Sequence, residues 1–389
     1  MTLPPHRFPR LAAAVAGGVL LALVGAPPVL ADSVREHQWH LRALHVAEAH
    51  KISQGEGVTV AVIDTGVRAD HRDLTGNVLP GVDFLDAKTK GWVDTNGHGT
   101  AMAGLIAGHG HGAGDADGAL GIAPKAKILP IRGQKDNKLS SVEIADAITE
   151  AVRHHVGVIS MSFATSADET TKRALQQAID ADIVLVAASG NRPDDIFLQY
   201  PAKYPGVVAV GATGRDGKLA PVTTTGPEMV LVAPGVQIVS TANTGGYRRG
   251  TGTSDSTAIV AGAAALIRAK YPNLSAAEVV HRLTATAIDK GAPGRDREYG
   301  YGALDLVAAL SADVPAGAGQ PSAGSSGSAA PLPDPTTKTN TAAAPATRKA
   351  GPVNWTAIGV VVAVLIIMTG LIVGLPTWLI LRSRRHRKP

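Results

Sequence analysis

The 389-residue chain contains no cysteine. That absence excludes disulfides, zinc–thiolate sites and thiol nucleophiles together, and for an exported protein it means folding independent of oxidation. Internal repeats are missing as well. Between about residue 311 and residue 352 large apolar side chains almost vanish, and Pro, Ala, Gly, Ser and Thr dominate. Such a segment cannot bury enough surface to offset its chain entropy, so residues 313–352 are expected to form a disordered stalk. Residues 382–389 lack acids: Arg382, Arg384, Arg385, Arg387 and Lys388 carry five cations, equal to the whole formal net charge of +5. The remainder is balanced, so the basic pI reflects topology and no nucleic-acid partner is expected.

Hydrophobic residues make up 45% of the chain, ample for a core, and the length suits one large domain with appendages. Residues 7–24 join a short basic start to the apolar run LAAAVAGGVLLALV, and Val29-Leu30-Ala31 precedes Asp32. This is the layout of a secretory signal with a small-residue cleavage site, so residues 1–31 are expected to be removed. An uncleaved anchor fits less well, because a spanning helix needs roughly 20 residues. A second apolar run, within residues 353–381, is long enough to span a bilayer. The cations after it place the tail in the cytoplasm by the positive-inside rule. The expected product is a single-pass protein of the cell membrane, with its bulk extracellular and its C-terminus cytoplasmic.

Residues 39–52, WHLRALHVAEAHKI, read as a short amphipathic helix ended by Gly55 and Gly57, with Trp39, Leu41, Leu44 and Val46 as apolar anchors. VTVAVID, residues 58–64, is a continuous apolar run closed by an acid, as expected of a parallel strand buried on both faces. KILPI (127–131), VGVISMS (156–162), DIVLVAA (182–188) and VVAVGA (207–212) repeat the pattern. Helical patterns lie between and after them, at 140–154, 168–181 and 275–289. Ser140 with Glu143, and Ser275 with Glu278, stand in capping-box spacing. Alternating strands and helices imply right-handed crossovers and a parallel sheet covered on both sides. The expected fold class is α/β, doubly wound and mostly parallel, over residues 32–312, followed by a C-terminal transmembrane helix.

Residues 250–270, GTGTSDSTAIVAGAAALIRAK, lead through small residues to Ser254 and then into an Ala-rich run that reads as a buried helix. Alone, Ser254 could be an ordinary N-cap. At that helix edge, however, unpartnered N–H groups and the dipole would also favour an oxyanion. Asp64 ends the first strand, His98 stands in NGHGTAMAG before an apolar helix, and Asn191 closes AASGN at the end of a later strand. Each has a bland reading as a turn or loop residue. The carboxyl ends of parallel strands share one edge, where ligands bind, and there the four can converge. Together they supply a nucleophile (Ser254), a general base (His98), a group fixing its tautomer (Asp64) and an oxyanion donor (Asn191).

On these residues, roughly from 39 to 310, the chain resembles the subtilisin-like serine proteases, or subtilases. The matching motifs are VIDTGV, HGTAMAG, AASGN and GTSDSTAIVAG, in the order Asp, His, Ser that distinguishes subtilisin from chymotrypsin and the α/β-hydrolases. YPAKYPGVVAVGA and VAPG agree with family segments between the oxyanion Asn and the nucleophile. The resemblance implies a serine endopeptidase acting on protein or peptide substrates. VISMSFA is similar to the family's substrate-binding strand, which implies that Ser162, Phe163 and Ala164, with Ala188, Ser189 and Gly190 opposite, bind an extended peptide by strand addition. Many subtilases bind calcium, so the resemblance leaves calcium open, but no acidic loop here nominates ligands; no metal site is assigned and no other cofactor is expected.

The sequence also departs from the family. Met, Ala and Pro commonly follow the nucleophile, whereas this chain has Asp255, Ser256 and Ala258. Asp255 suits the helix dipole and is expected to point away from the site. Ala164 replaces a frequent Gly at the mouth of the main specificity pocket, which implies a narrower entrance. About thirty residues separate the cleavage site from Asp64, too few for a folded prodomain, since chains below about 40 residues rarely hold a core. A signal, a Pro-rich stalk and a membrane anchor resemble the mycosins, proteases of type VII secretion systems, although mycosins usually carry cysteines and a longer loop than residues 108–121 here. The resemblance implies a type VII secretion membrane complex as partner. The rival expectation is a structural component of such a complex with a dispensable triad. An esterase fits poorly, because no G-x-S-x-G elbow surrounds Ser254.

Overall fold

The computed structural model describes residues 33–133 and 141–315. The expected signal, the stalk beyond residue 315, the transmembrane run, the basic tail and Ser140 lie outside the described residues. Among those described, no helix is long and apolar enough to cross a membrane.

The α/β fold is built on seven strands: β1 (Thr59–Asp64), β2 (Val82–Asp83), β5 (Lys127–Arg132), β6 (Val158–Met161), β7 (Val184–Ala188), β8 (Val207–Thr213) and β9 (Met229–Pro234). They stand in the order β2-β5-β1-β6-β7-β8-β9, every neighbour parallel. Five strands match the apolar runs of the sequence. β2 is too short to show a pattern, and β9 carries the VAPG segment.

Successive side chains of a strand point to opposite faces, so the apolar runs feed two cores. Val60, Val62, Val158 and Val186 pack with helices α4 (His98–Ala107) and α7 (Thr253–Lys270). Ala61, Ile63, Ile159 and Leu185 pack with α5 (Ser141–Arg153) and α6 (Glu169–Asp180). Almost every residue of α7 is buried, which its small side chains permit. At Gly262 a Cβ would stand 2.7 Å from Ile122 Cβ, so this glycine sets how closely the helix packs. Helix α8 (Ala276–Ala285) opens with the expected capping box of Ser275 and Glu278 and ends short of residue 289; α9 (Leu306–Ser311) closes the described domain.

The N-terminal segment is not one helix. It forms α1 (Ser33–His37), α2 (Trp39–Ala43) and α3 (Val46–Ala49), with His45 in the left-handed region at φ 50°. A continuous helix would turn anchors two residues apart to different sides. The breaks allow Trp39, Leu41, Leu44, Val46 and Ala49 all to be buried. The indole N–H of Trp39 donates to Val236 O at 3.0 Å. The glycine-rich loop is a hairpin of β3 (His109–His111) and β4 (Asp117–Leu120), and Arg35 donates to its carbonyls at Asp115, Asp117 and Gly118. A second hairpin joins β10 (Ile238–Thr241) to β11 (Tyr247–Gly250).

Candidate active site

The strand order reverses at β1, which lies between β5 and β6, and Asp64 is its last residue. Such a reversal opens a crevice at the carboxyl edge of the sheet. Asp64 is buried, and Thr65 N–H donates to its Oδ1 at 2.7 Å. His98 opens α4 after Gly97, which caps the helix at φ 95°. Gly99 is needed for a different reason: a Cβ there would lie 2.1 Å from Gly66 O and 3.1 Å from Asp64 Cβ. Without that side chain the helix start reaches the strand end, and His98 Nδ1 sits 2.8 and 2.9 Å from the two Asp64 oxygens. A neutral imidazole in this position carries its proton on Nδ1 and leaves Nε2 as acceptor.

A second acid, which the sequence reading missed, ties this corner together. Buried Asp94 accepts Thr65 Oγ1 at 2.9 Å, Thr100 Oγ1 at 2.6 Å, and the N–H groups of Asn96, Gly97 and Thr100. An Asp four residues before a helix-opening His was its only signal, and that looks like a turn.

Ser254 is the second residue of α7, whose N-cap is Gly252. Its Oγ donates to Ser162 O at 3.5 Å, and no described hydrogen bond joins it to His98. Hydrogen bonds between catalytic groups often tighten only when substrate is bound. Asn191 follows β7, and its Oδ1 accepts Thr253 N–H at 2.9 Å and Thr253 Oγ1 at 3.2 Å. With the oxygen occupied, the amide Nδ2 is the end left to donate. The loop is held by Asp195, whose Oδ2 accepts Asn191 N–H at 2.7 Å.

A cavity of about 570 Å³ brings these residues together; His98, Ser254, Asn191, Ser162, Phe163, Ala164, Ala188 and Gly190 all line it. Ala164 is exposed at its edge. Ser189 does not line it: the residue is fully buried, and its N–H and C=O are taken by Val210 and Gln199.

Asp255 does not point away. It is 4% exposed and lines the same cavity, with Arg248 of β11 beside it. Its place in the first turn of α7 puts the side chain in that cavity. Burial pushes it up to about 6, against the pull of the His98 and Arg248 charges. Burial alone would lower His98, but the charge and hydrogen bond of Asp64, followed by the charge of Asp255, outweigh it and hold the imidazole above its ordinary value. Among the described residues no cluster of three or more His, Cys, Asp or Glu could hold a metal ion.

The sequence pattern of the Subtilase family, Peptidase S8, matches residues 55–302. Subtilisin DY of Bacillus licheniformis is 35% identical over 290 residues, 73% of this chain and 97% of its own length. Mycosin-1 of Mycobacterium tuberculosis is 34% identical over 355 residues, covering 76% of this chain and 78% of the relative. The crystal structure of MycP1 from the ESX-1 type VII secretion system superposes with a TM-score of 0.66 at 30% identity, over 73% of this chain and 88% of that one. The chain belongs to the subtilase family and is a serine endopeptidase. Within that family it is related to the mycosins of type VII secretion.

Proposed function

We propose that the chain hydrolyses peptide bonds through a triad of Asp64, His98 and Ser254, with Asn191 as oxyanion donor. The observation that carries this is the pairing of His98 Nδ1 with both Asp64 oxygens at 2.8 and 2.9 Å, in one cavity with Ser254 and Asn191. Ser254 Oγ attacks the substrate carbonyl carbon while His98 Nε2 takes its proton, and Asp64 holds the imidazolium that forms. The carbonyl oxygen becomes an anion bound by Asn191 Nδ2 and the Ser254 N–H, which as a first-turn group has no intrahelical acceptor. Collapse breaks the C–N bond, the leaving amine takes the proton from His98, and water repeats the sequence on the acyl-enzyme.

The peptide lies along Ser162, Phe163 and Ala164, with Ala188 and Gly190 across the cavity. The enzyme works at the outer face of the cell membrane, tethered by residues 353–381, within or beside a type VII secretion complex. Behaving as a flexible coil, a stalk of about forty residues would reach roughly 30 to 40 Å on average and would confine the active site near the exit of a channel. Residues 33–51 remain on the mature domain, consistent with their buried anchors. Peptide-library cleavage by the fragment 32–312 and by its Ser254→Ala form tests the chemistry. Restoration of secretion by full-length Ser254→Ala in a strain lacking the gene would assign the essential role to structure.

A further inference from the structure

The proposed mechanism makes no use of Asp255, although the residue stands in the same cavity. Asp255 lies in the first turn of α7 beside Ser254, and its side chain lines the cavity shared by His98, Ser254 and Arg248. No hydrogen bond from a described residue reaches its carboxylate. Gly250 provides the space: a Cβ there would stand 2.8 Å from Asp255 Oδ2, 3.1 Å from Oδ1 and 3.3 Å from Arg248 Nη2. An acid and a base therefore converge over one glycine without forming a direct ion pair. A carboxylate with only 4% exposure and no donor carries a desolvation cost that its surroundings do not offset.

Building on the assignment of His98 as the base, we propose that Asp255 and Arg248 are opposed positioning residues which set the pH at which His98 begins to accept protons. The ionised carboxylate favours the imidazolium, and the guanidinium disfavours it. Among the described residues, the charged groups facing the imidazole can be named. Asp64 from β1 holds Nδ1, Asp255 comes from α7, and Arg248 comes from β11. Asp194 and Asp195 line the cavity from the loop after β7, with Asp195 occupied by the Asn191 N–H. Asp64 is common to the whole mechanism, so the adjustable part is the Asp255–Arg248 pair.

The test uses Asp255→Asn, Asp255→Glu and Arg248→Gln. The kcat/KM profile is measured from pH 5 to 9 on one peptide substrate, and the His98 ring titration is followed by NMR in the same proteins. Removing the carboxylate is expected to move the acid midpoint down by about half to one pH unit, and removing the guanidinium to move it up by a similar amount. Asp255→Glu, which keeps the charge, should stay near wild type. Midpoints that do not move, or that move in the same direction in both neutralised variants, overturn the proposal. If Asp255→Asn does not fold, Arg248→Gln decides alone, since an unshifted His98 titration rejects the pair. A protein with no peptidase activity would refute the base assignment, while the NMR titration would still judge the electrostatics.

Discussion

The side-chain oxygen of Asn191 accepts the backbone N–H of Thr253 at 2.9 Å, one residue before Ser254. This bond fixes which end of the Asn191 amide is free to donate and couples the proposed oxyanion donor to the helix that carries Ser254. Asn191→Ala should lower kcat by about 10² to 10³ with little change in KM, because a donor used mainly in the transition state is lost. Ser254→Ala should lower it by roughly 10⁴ to 10⁶. Steady-state kinetics on one peptide decide both, and full activity in Ser254→Ala would remove the mechanism.

Because His98 is held above its ordinary value of 6.5, the acid limb of kcat/KM should be centred above pH 6.5, somewhat higher than an unperturbed imidazole would give. As the proposed base, His98 must be neutral, so activity should rise as the pH passes through this value. A midpoint at or below 6, with chemistry shown to limit the rate, would contradict the arrangement.

Asp255 also leaves a signature in stability. Its folded-state value is raised from 3.8 to about 6, so the native state holds this proton more tightly than the unfolded chain. The stabilisation is fully present below pH 3.8 and is lost as the pH rises through about 6. Asp255→Asn never ionises and should therefore exceed wild type by about 2 to 3 kcal/mol at pH 7.5, with the difference vanishing only below about pH 3. Denaturant titrations in a Ser254→Ala background, where autolysis is blocked, measure this directly.

The N-terminal segment should behave as part of the domain. Trp39 is 6% exposed and hydrogen-bonded to Val236 O, so Trp39→Ala is expected to cost about 3 to 5 kcal/mol. N-terminal sequencing should find the mature chain starting near residue 32 in both wild type and Ser254→Ala. A start near residue 55 that appears only in the active form would identify the segment as a propeptide.

Topology gives a separate check. Protease added to intact protoplasts should release the catalytic domain and leave a short membrane fragment, if residues 353–381 span the bilayer with the tail inside. Protection of the domain would reverse the orientation.

Much of this protein was determined by the sequence itself. Continuous apolar runs such as residues 58–64 can be buried only in a sheet covered on both faces, and the ordered motifs around Asp64, His98, Asn191 and Ser254 point to the family and to the proposed chemistry in their residue types. Local capping was equally legible at Ser275 and Glu278, because both partners lie within one helical turn. What depended on distant partners was not. The three-piece N-terminus follows from the surface its anchors must cover, and Asp94 matters only because Thr65 and Thr100 arrive from two other elements. Asp255 shows the limit most plainly: a first-turn acid is locally content facing solvent, and only the folded chain brings it into one cavity with His98 and with Arg248 of β11. Sequence spacing specifies which groups a helix carries, but the direction each side chain takes is decided by the volume its neighbours leave open, and that volume exists only in the folded chain.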